Sequence, residues 1–453
     1  MRDTHLTDAL APVAEALLNA AKAAGADAAD AIAVEGRSIS IDVRNGGLEQ
    51  AERSEGLDIG LRVFIGQRQA CISASDTRPE TLEAMAARAV AMAREAPEDR
   101  YAGLADFGQL STQRSAEGLE LFDPTPEPAP ESLQEDARRA EAAARDVPGV
   151  TQVQSASAAY GAQALWLAAT NGFEGGYARS SRHVSCVAIS GVGTEMERDW
   201  CGEGRVFQAE LPAPEEIGRL AGERAADRAK PRRPRTGAYP VLYDERVASS
   251  LIGHLVAAMN GSAISRGSSW LRDAMGTQVL PDGLTLTENP LRQRCAGSRP
   301  FDAEGLPCLK RDLVIDGVLQ GWVLDLATAR KLGLSSTGNA ARGTSAPPSP
   351  ATSNLVLTQG TQSRADLIAE MGTGLLVTSM IGSTINATTG DYSRGASGFW
   401  VENGEIVYPV NECTIAGNLR EMLTRITPAN DARLHLSTVV PSLLVEGMTL
   451  AGA

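Results

Sequence analysis

The chain has 453 residues, a net charge of −14 and a pI near 5.0, with 43% hydrophobic and only 4% aromatic residues. That length suits two or three domains with a large buried core, and the composition suits packing that leans on Ala, Leu and Val. The acidic balance speaks against direct nucleic-acid binding unless a local basic patch overrides it.

Taken in chain order, Met1 to Asp8 is polar and lacks the charged and apolar regions of a signal peptide. The stripe Leu10, Val13, Leu17 and Leu18 predicts a helix over 7–24, ended by Gly25. From Ser38 to Ser73 the period changes to two, through Ile39, Ile41 and Val43, the turn Asn45-Gly46-Gly47, then Leu57, Ile59, Leu61, Val63 and Ile65. This reads as an antiparallel meander, followed by a helix over 81–93. The Pro-rich stretch Asp123 to Pro130 marks a boundary. A helix over 131–145, strands between Thr151 and Arg205, and a helix over 214–229 make a second unit of similar layout, without a residue-level repeat.

The only basic run, Lys230 to Arg235, is broken by Pro231 and Pro234 and reads as a linker. Beyond it, Pro240 to Tyr243 reads as a strand. Asp244 is placed to cap a helix over 245–260 that Gly261 would stop. The remainder is strand-rich: 284–287, 313–315 before the Asp316-Gly317 turn, 319–323, 355–357, 375–381, 398–401 and 405–410. A short helix over 363–371 interrupts it. Ser335 to Ser353, rich in Ser, Gly, Ala and Pro, reads as a mobile loop. The expected fold is α+β: N-terminal α/β units (1–120 and 121–230) with small antiparallel sheets and flanking helices, then a β-rich, barrel-like domain (236–453). No window is long and apolar enough to span a membrane.

Gly390 to Glu405 stands out because it gathers Asp391, Tyr392 and Arg394 among glycines and runs through Trp400 to Asn403-Gly404, a strong hairpin signal. It predicts a loop and hairpin facing a cleft, with Asp391, Tyr392, Arg394 and Trp400 as substrate-channel residues. Asp391, Tyr392 and Arg394 could equally fix the loop by an ion pair and hydrogen bonds.

A Ser-His-Asp or Cys-His triad stays open, although no nucleophile sits in a recognisable elbow such as Gly-x-Ser-x-Gly. Gly372-x-Gly374 precedes a strand and has no third glycine, so neither a dinucleotide fingerprint nor a P-loop is present. The six cysteines (Cys71, Cys186, Cys201, Cys295, Cys308, Cys413) form no Cys-x-x-Cys pair, and a cytoplasmic protein with reduced thiols is expected. His183 and Cys186, three apart in a strand, fall on opposite faces. His5 and His435 read as surface or loop residues. His254 lies on the helix over 245–260, with Ser250 and Ala258 four residues away on either side. A zinc-protease helix needs two imidazoles for one ion and a nearby Glu to activate its water, so His254 reads as structural.

Pro240 to Gly261, Pro300-Phe301-Asp302-Ala303-Glu304-Gly305, Arg330 to Gly338, Met371 to Leu375, Gly390 to Gly404 and Ile415 to Leu419 together resemble the TldD/PmbA family. The resemblance is specific over the C-terminal half, extends to the N-terminal half in layout only, and looks like the PmbA (TldE) branch. It implies a heterodimeric zinc metallopeptidase. A TldD-like subunit supplies a His-Glu-x-x-x-His helix and a Cys ligand, and the TldE-like partner helps to form a chamber for unfolded peptides. Counted back from Asn260-Gly261, the ligand and base positions fall near Ile252, Gly253 and Ala257, none of which can bind zinc or act as a base; Thr427 to Ala453 holds no Cys.

The resemblance therefore implies no metal in this chain and zinc in the TldD-like partner. A homodimer could form when the chain is alone. It also implies roles in trimming leader peptides and degrading unfolded proteins, and an older label, modulator of DNA gyrase, without direct nucleic-acid contact or a membrane. Exposed strand edges and the Gly390 to Gly404 loop could take an extended peptide by β-addition. Two other classes stay open: a metal-independent hydrolase, and a non-proteolytic binding or scaffold protein.

Overall fold

The computed structural model describes residues 7–452; His5 lies outside them. Helix α1 (Ala11–Ala23) leads into strands β1 (Ala28–Arg44), β2 (Gly47–Ile65) and β3 (Arg68–Ala74), then helix α2 (Pro79–Glu95). The second unit runs α3 (Pro130–Arg145), β4 (Val150–Ala169), β5 (Glu174–Ser190), β6 (Glu197–Arg205) and α4 (Pro214–Asp227). The two small sheets expected of these units are halves of one six-stranded antiparallel sheet, ordered β3-β2-β1-β4-β5-β6. The join is the long β1–β4 ladder, from Asp30↔Ala169 to Val43↔Ala156. The period-two signal begins only at Ser38, ten residues into β1, because Ala29 to Ala33 are buried in an unbroken run and show no alternation.

Side-chain alternation along β1 sorts the two faces of this sheet. Ala31 and Ala33 pack under α1 and α2 with Leu17, Leu61 and Val90. Ile39, Ile41 and Val43 share that face further along and pack under α3 and α4 with Leu133 and Ile217. Ile32 points the other way, into a cluster with Leu121, Phe173, Tyr177 and Phe301. The helices thus cover one face, and the third unit reaches the other. Phe301 is its anchor, edge-on to Phe173 at 5.0 Å and to Tyr177 at 5.5 Å between ring centroids.

The third unit contains β7 (Gly237–Tyr243), helices α5 (Glu245–Ala258) and α6 (Gly261–Arg266), β8 (Leu286–Glu288), β9 (Arg311–Ile315), β10 (Val318–Leu319) and α7 (Leu326–Leu332). It continues with β11 (Ala340–Ala341), β12 (Ser349–Pro350), β13 (Leu355–Leu357), α8 (Arg364–Met371), β14 (Gly374–Ile385), β15 (Asp391–Glu402) and β16 (Glu405–Asn418). It ends with α9 (Leu419–Leu423), β17 (Ile426–Pro428), β18 (Thr438–Val439) and β19 (Leu443–Ala451). Strands β16-β15-β14-β7-β19 form a closed barrel, because β16 also pairs with β19 from Thr414↔Ala451 to Ala416↔Thr449. A second sheet, β10-β9-β8-β13-β18, lies beside it.

Two local readings change. Helix α5 ends at Ala258 and not at Asn260, because the Asn260 side chain accepts from Ser262 N and starts α6. Ser335 to Ser353 is fastened at several points. Asn339 is buried and donates to Glu288 at 2.8 Å, β11 pairs with β12, and the buried Arg342 side chain pairs with Asp30 of β1. Gly60 permits that crossing, since a Cβ there would stand 2.2 Å from Thr344 O.

Candidate functional site

Helix α5 starts where Asp244 accepts from Arg246 N at 3.2 Å, an N-cap that satisfies one of the free amides of the first turn. Its apolar face, Ala248, Leu251, Ile252 and Leu255, is buried in the core that also fills the barrel. Its other face, Ser249, Ser250, Gly253, Val256 and Ala257, borders with Asn260 a groove of about 410 Å³. Val323, Ala351, Thr352, Leu355 and Thr438 form the opposite wall. The helix side is narrow and smooth, built from small side chains, with Ser250 Oγ turned back to Val247 O at 2.7 Å. Such a groove suits an extended chain held by hydrogen bonds.

Of the positions counted for metal ligands and base, Gly253 and Ala257 line the groove, whereas Ile252 is 0% exposed and faces the core. His254 is half-buried, its ring edge-on to Tyr392 at 5.9 Å, and burial followed by the Arg394 charge holds its pKa below the ordinary 6.5. It is therefore a neutral imidazole near neutral pH. His183 is exposed and Cys186 buried, on opposite faces of β5. His435 Nε2 lies 3.3 Å from Glu203.

Gly390 to Glu405 forms no free loop; Asp391 to Glu402 is strand β15 inside the barrel, paired with β14 on one side and β16 on the other. Both edges are taken, so β-addition is closed to it. Glycine here serves close strand approach: a Cβ at Gly398 would stand 1.9 Å from Leu376 O. The hairpin at Asn403-Gly404 is present, with φ of 53° and 78°. Tyr392, 2% exposed, meets Tyr243 hydroxyl to hydroxyl at 3.3 Å inside the barrel. Trp400, 1% exposed, packs edge-on to Tyr239 at 5.0 Å and donates to Glu402 at 2.9 Å. Asp391 accepts from Asn418 at 3.0 Å and Thr389 at 2.6 Å, while Arg394 donates to Gly382 O at 2.8 Å. The Asp391 carboxylate holds two side chains and the Arg394 guanidinium a backbone carbonyl, and the two charges do not hold each other.

The acids of Pro300 to Gly305 are also placed. Asp302 accepts from Glu304 N and Leu306 N at 2.9 Å and Ala340 N at 3.0 Å. Glu304 accepts only from Leu326 N at 2.9 Å, and burial next to Asp302 pushes its pKa up to about 8. Asp302, with three amide donors, is the better holder of a charge, and Glu304 keeps the proton. Sequence reading singled out this segment without its role, which depends on partners up to 38 residues away.

A continuous N-terminal sheet is docked on a closed barrel, with a groove along the helix after the first barrel strand, in a chain of three parts. Residues 29–93 match PmbA/TldA metallopeptidase domain 1, residues 123–229 its central domain and residues 236–452 its C-terminal domain. The chain is 35% identical to the metalloprotease PmbA of Escherichia coli O157:H7, over 94% of this chain and 92% of that one. It superposes on a solved structure from Bacteroides thetaiotaomicron, described as a candidate modulator of DNA gyrase, with a TM-score of 0.91 at 26% identity, over 99% of this chain and 100% of that one. It superposes on TldE from Thermococcus kodakarensis with a TM-score of 0.84 at 20% identity, over 97% and 100%. The chain belongs to the PmbA/TldD metallopeptidase family, in its PmbA (TldE) branch.

A metallopeptidase implies a metal, and the groove tests the fit. The α5 side offers hydroxyls, methyls, one isopropyl group and the Asn260 carboxamide, which already donates to Pro350 O at 2.8 Å. Zinc is held by imidazole, thiolate or carboxylate, and none of these lines the groove. Among the described residues no three of His, Cys, Asp and Glu stand together as a metal site. The residues present do not fit a zinc ion.

Proposed function

We propose that this chain is the zinc-free subunit of a two-subunit TldD/TldE-type peptidase acting in the cytoplasm on unfolded proteins and leader peptides. A TldD-like subunit carries the zinc and the cleavage chemistry. This chain supports that subunit and walls part of the peptide path. The reading rests on the groove side of α5, where Ser249, Ser250, Gly253, Val256 and Ala257 stand, followed by Asn260, and no imidazole or carboxylate does. In a catalytic zinc helix that side must bring two imidazoles and a base to one ion. Asp391, Tyr392, Arg394 and Trp400 then act as supports, holding the barrel on which α5 rests.

The test is cleavage of an unfolded peptide by this chain, by a TldD-like subunit from the same organism, and by the two mixed, with zinc or with a chelator. Cleavage that needs the mixture and is abolished by the chelator is expected. Cleavage by this chain alone that survives the chelator favours a metal-independent hydrolase. No cleavage by the mixture leaves a binding protein.

A further inference from the structure

The open face of the N-terminal sheet and the third unit enclose a cavity of about 360 Å³. Arg179 of β5, Arg299 and Arg342 line it, with Gln163, Tyr177 and Thr352 among the other walls. The cavity is not isolated. Thr352 also lines the α5 groove, and Gln163 and Arg179 also line a depression of about 580 Å³ on the sheet face. The groove, the cavity and the depression thus adjoin through shared wall residues, as a track from α5 past the arginines to the sheet.

The charges along this track do not cancel. Arg62 and Arg342 share one carboxylate, Asp30. Arg299 donates to Ala340 O at 3.2 Å and Ala351 O at 2.8 Å, and Arg179 to Ala296 O at 2.9 Å, all carbonyls without charge. Arg179, Arg299 and Arg342 line the cavity with one carboxylate, Asp302, while Asp30 is shared by Arg342 with Arg62, which also faces Glu304. The Arg342 side chain is 1% exposed, yet its Nε has no hydrogen-bond partner, and neither has the buried Nε of Arg179. Buried donors in folded proteins are almost always paired, because leaving one unmade is costly. Arg179 also donates to the Tyr177 hydroxyl at 3.1 Å, which leaves the phenol proton free to donate onward.

We propose that this cavity is a carboxylate-binding subsite of the peptide path, in which Arg179 and Arg342 hold a carboxylate of the peptide lying along α5. The carboxylate is that of the C-terminus or of an acidic side chain. The planar guanidinium fork matches a planar carboxylate, which a lysine would meet only as a point charge. This subsite rests on the reading of the α5 groove as a peptide path.

The test uses three fluorescent peptides of one unstructured sequence without Asp or Glu: the C-terminal acid, the C-terminal amide, and the amide with a single Glu added. Anisotropy titrations are run with the full chain, alone and in complex with a TldD-like subunit. At least one carboxylate peptide is expected to bind about tenfold tighter than the plain amide, the scale of one charge-assisted hydrogen bond. Arg179→Gln should bring the three peptides level, and Arg179→Lys should restore only part of the preference. Thermal melts of both variants establish that they are folded. Equal binding of all three peptides overturns the subsite and leaves the groove standing. Binding of none of them, in either form, overturns both.

Discussion

Arg246 Nη1 lies 3.0 Å from Asp199 Oδ1, joining the first turn of α5 to β6, the edge strand of the N-terminal sheet. Both side chains are largely buried, at 12% and 5% exposure. The same guanidinium reaches Asp244, the cap of α5, at 3.1 Å. The helix that borders the groove is thus aimed by a charge on another unit. Asp199→Ala leaves Arg246 buried with one partner fewer and should cost about 3 kcal/mol, read by chemical denaturation. Peptide binding should weaken with it, because the start of α5 loses its anchor.

Trp400 fills the barrel and does not line the groove. Trp400→Ala should cost about 3–4 kcal/mol through the cavity it leaves. The surviving folded fraction should bind peptide with nearly unchanged affinity. A Trp400→Phe variant that folds as well as the parent but loses peptide binding would return this residue to the channel.

Glu304 makes stability pH-dependent. Its pKa in the folded chain is raised from the ordinary 4.5 to about 8 by burial and the neighbouring Asp302. Between those values the folded state binds the extra proton, so stability falls as pH rises, and the loss is complete above about 8. Glu304→Gln keeps an oxygen for Leu326 N and removes the titration. Denaturation midpoints of this variant should vary less between pH 5 and 8 than those of the parent, and should exceed them at pH 8.

The crossing at Gly60 offers a further test. A Cβ at Gly60 meets Thr344 O at 2.2 Å and must push the crossing segment off the sheet. Gly60→Ala should cost about 2 kcal/mol and disturb the adjoining Arg342–Asp30 pair. The carboxylate preference should then shrink more than overall peptide affinity does.

Local signals carried the elements well. Asp244 announces α5, and Asn403-Gly404 announces the β15–β16 hairpin, because capping and left-handed turn geometry are written in adjacent residues. Gly395 misleads: it lies in β15 against Ile381, and a glycine needed for strand approach looks in sequence like a glycine needed for a loop, whereas 398–401 reads correctly as strand. The order assigned to Ser335 to Ser353 was also hidden, since Arg342 finds Asp30 across 312 residues. The arginine cavity was illegible for the same reason. Arg179, Arg299 and Arg342 have unremarkable neighbours in sequence and meet only when the barrel unit docks on the sheet. The α5 face was partly legible: Gly253 and Ala257 do border the groove, but counting alone could not show that Ile252 turns into the core.

The most direct test of the central claim is the metal content of the purified full chain beside that of its complex with a TldD-like subunit, by elemental analysis after equilibration with zinc and desalting. No stoichiometric zinc is expected in this chain alone and about one zinc per complex, the number a single catalytic site takes. One tightly held zinc in this chain alone, accompanied by peptide cleavage that a chelator abolishes, would contradict that claim.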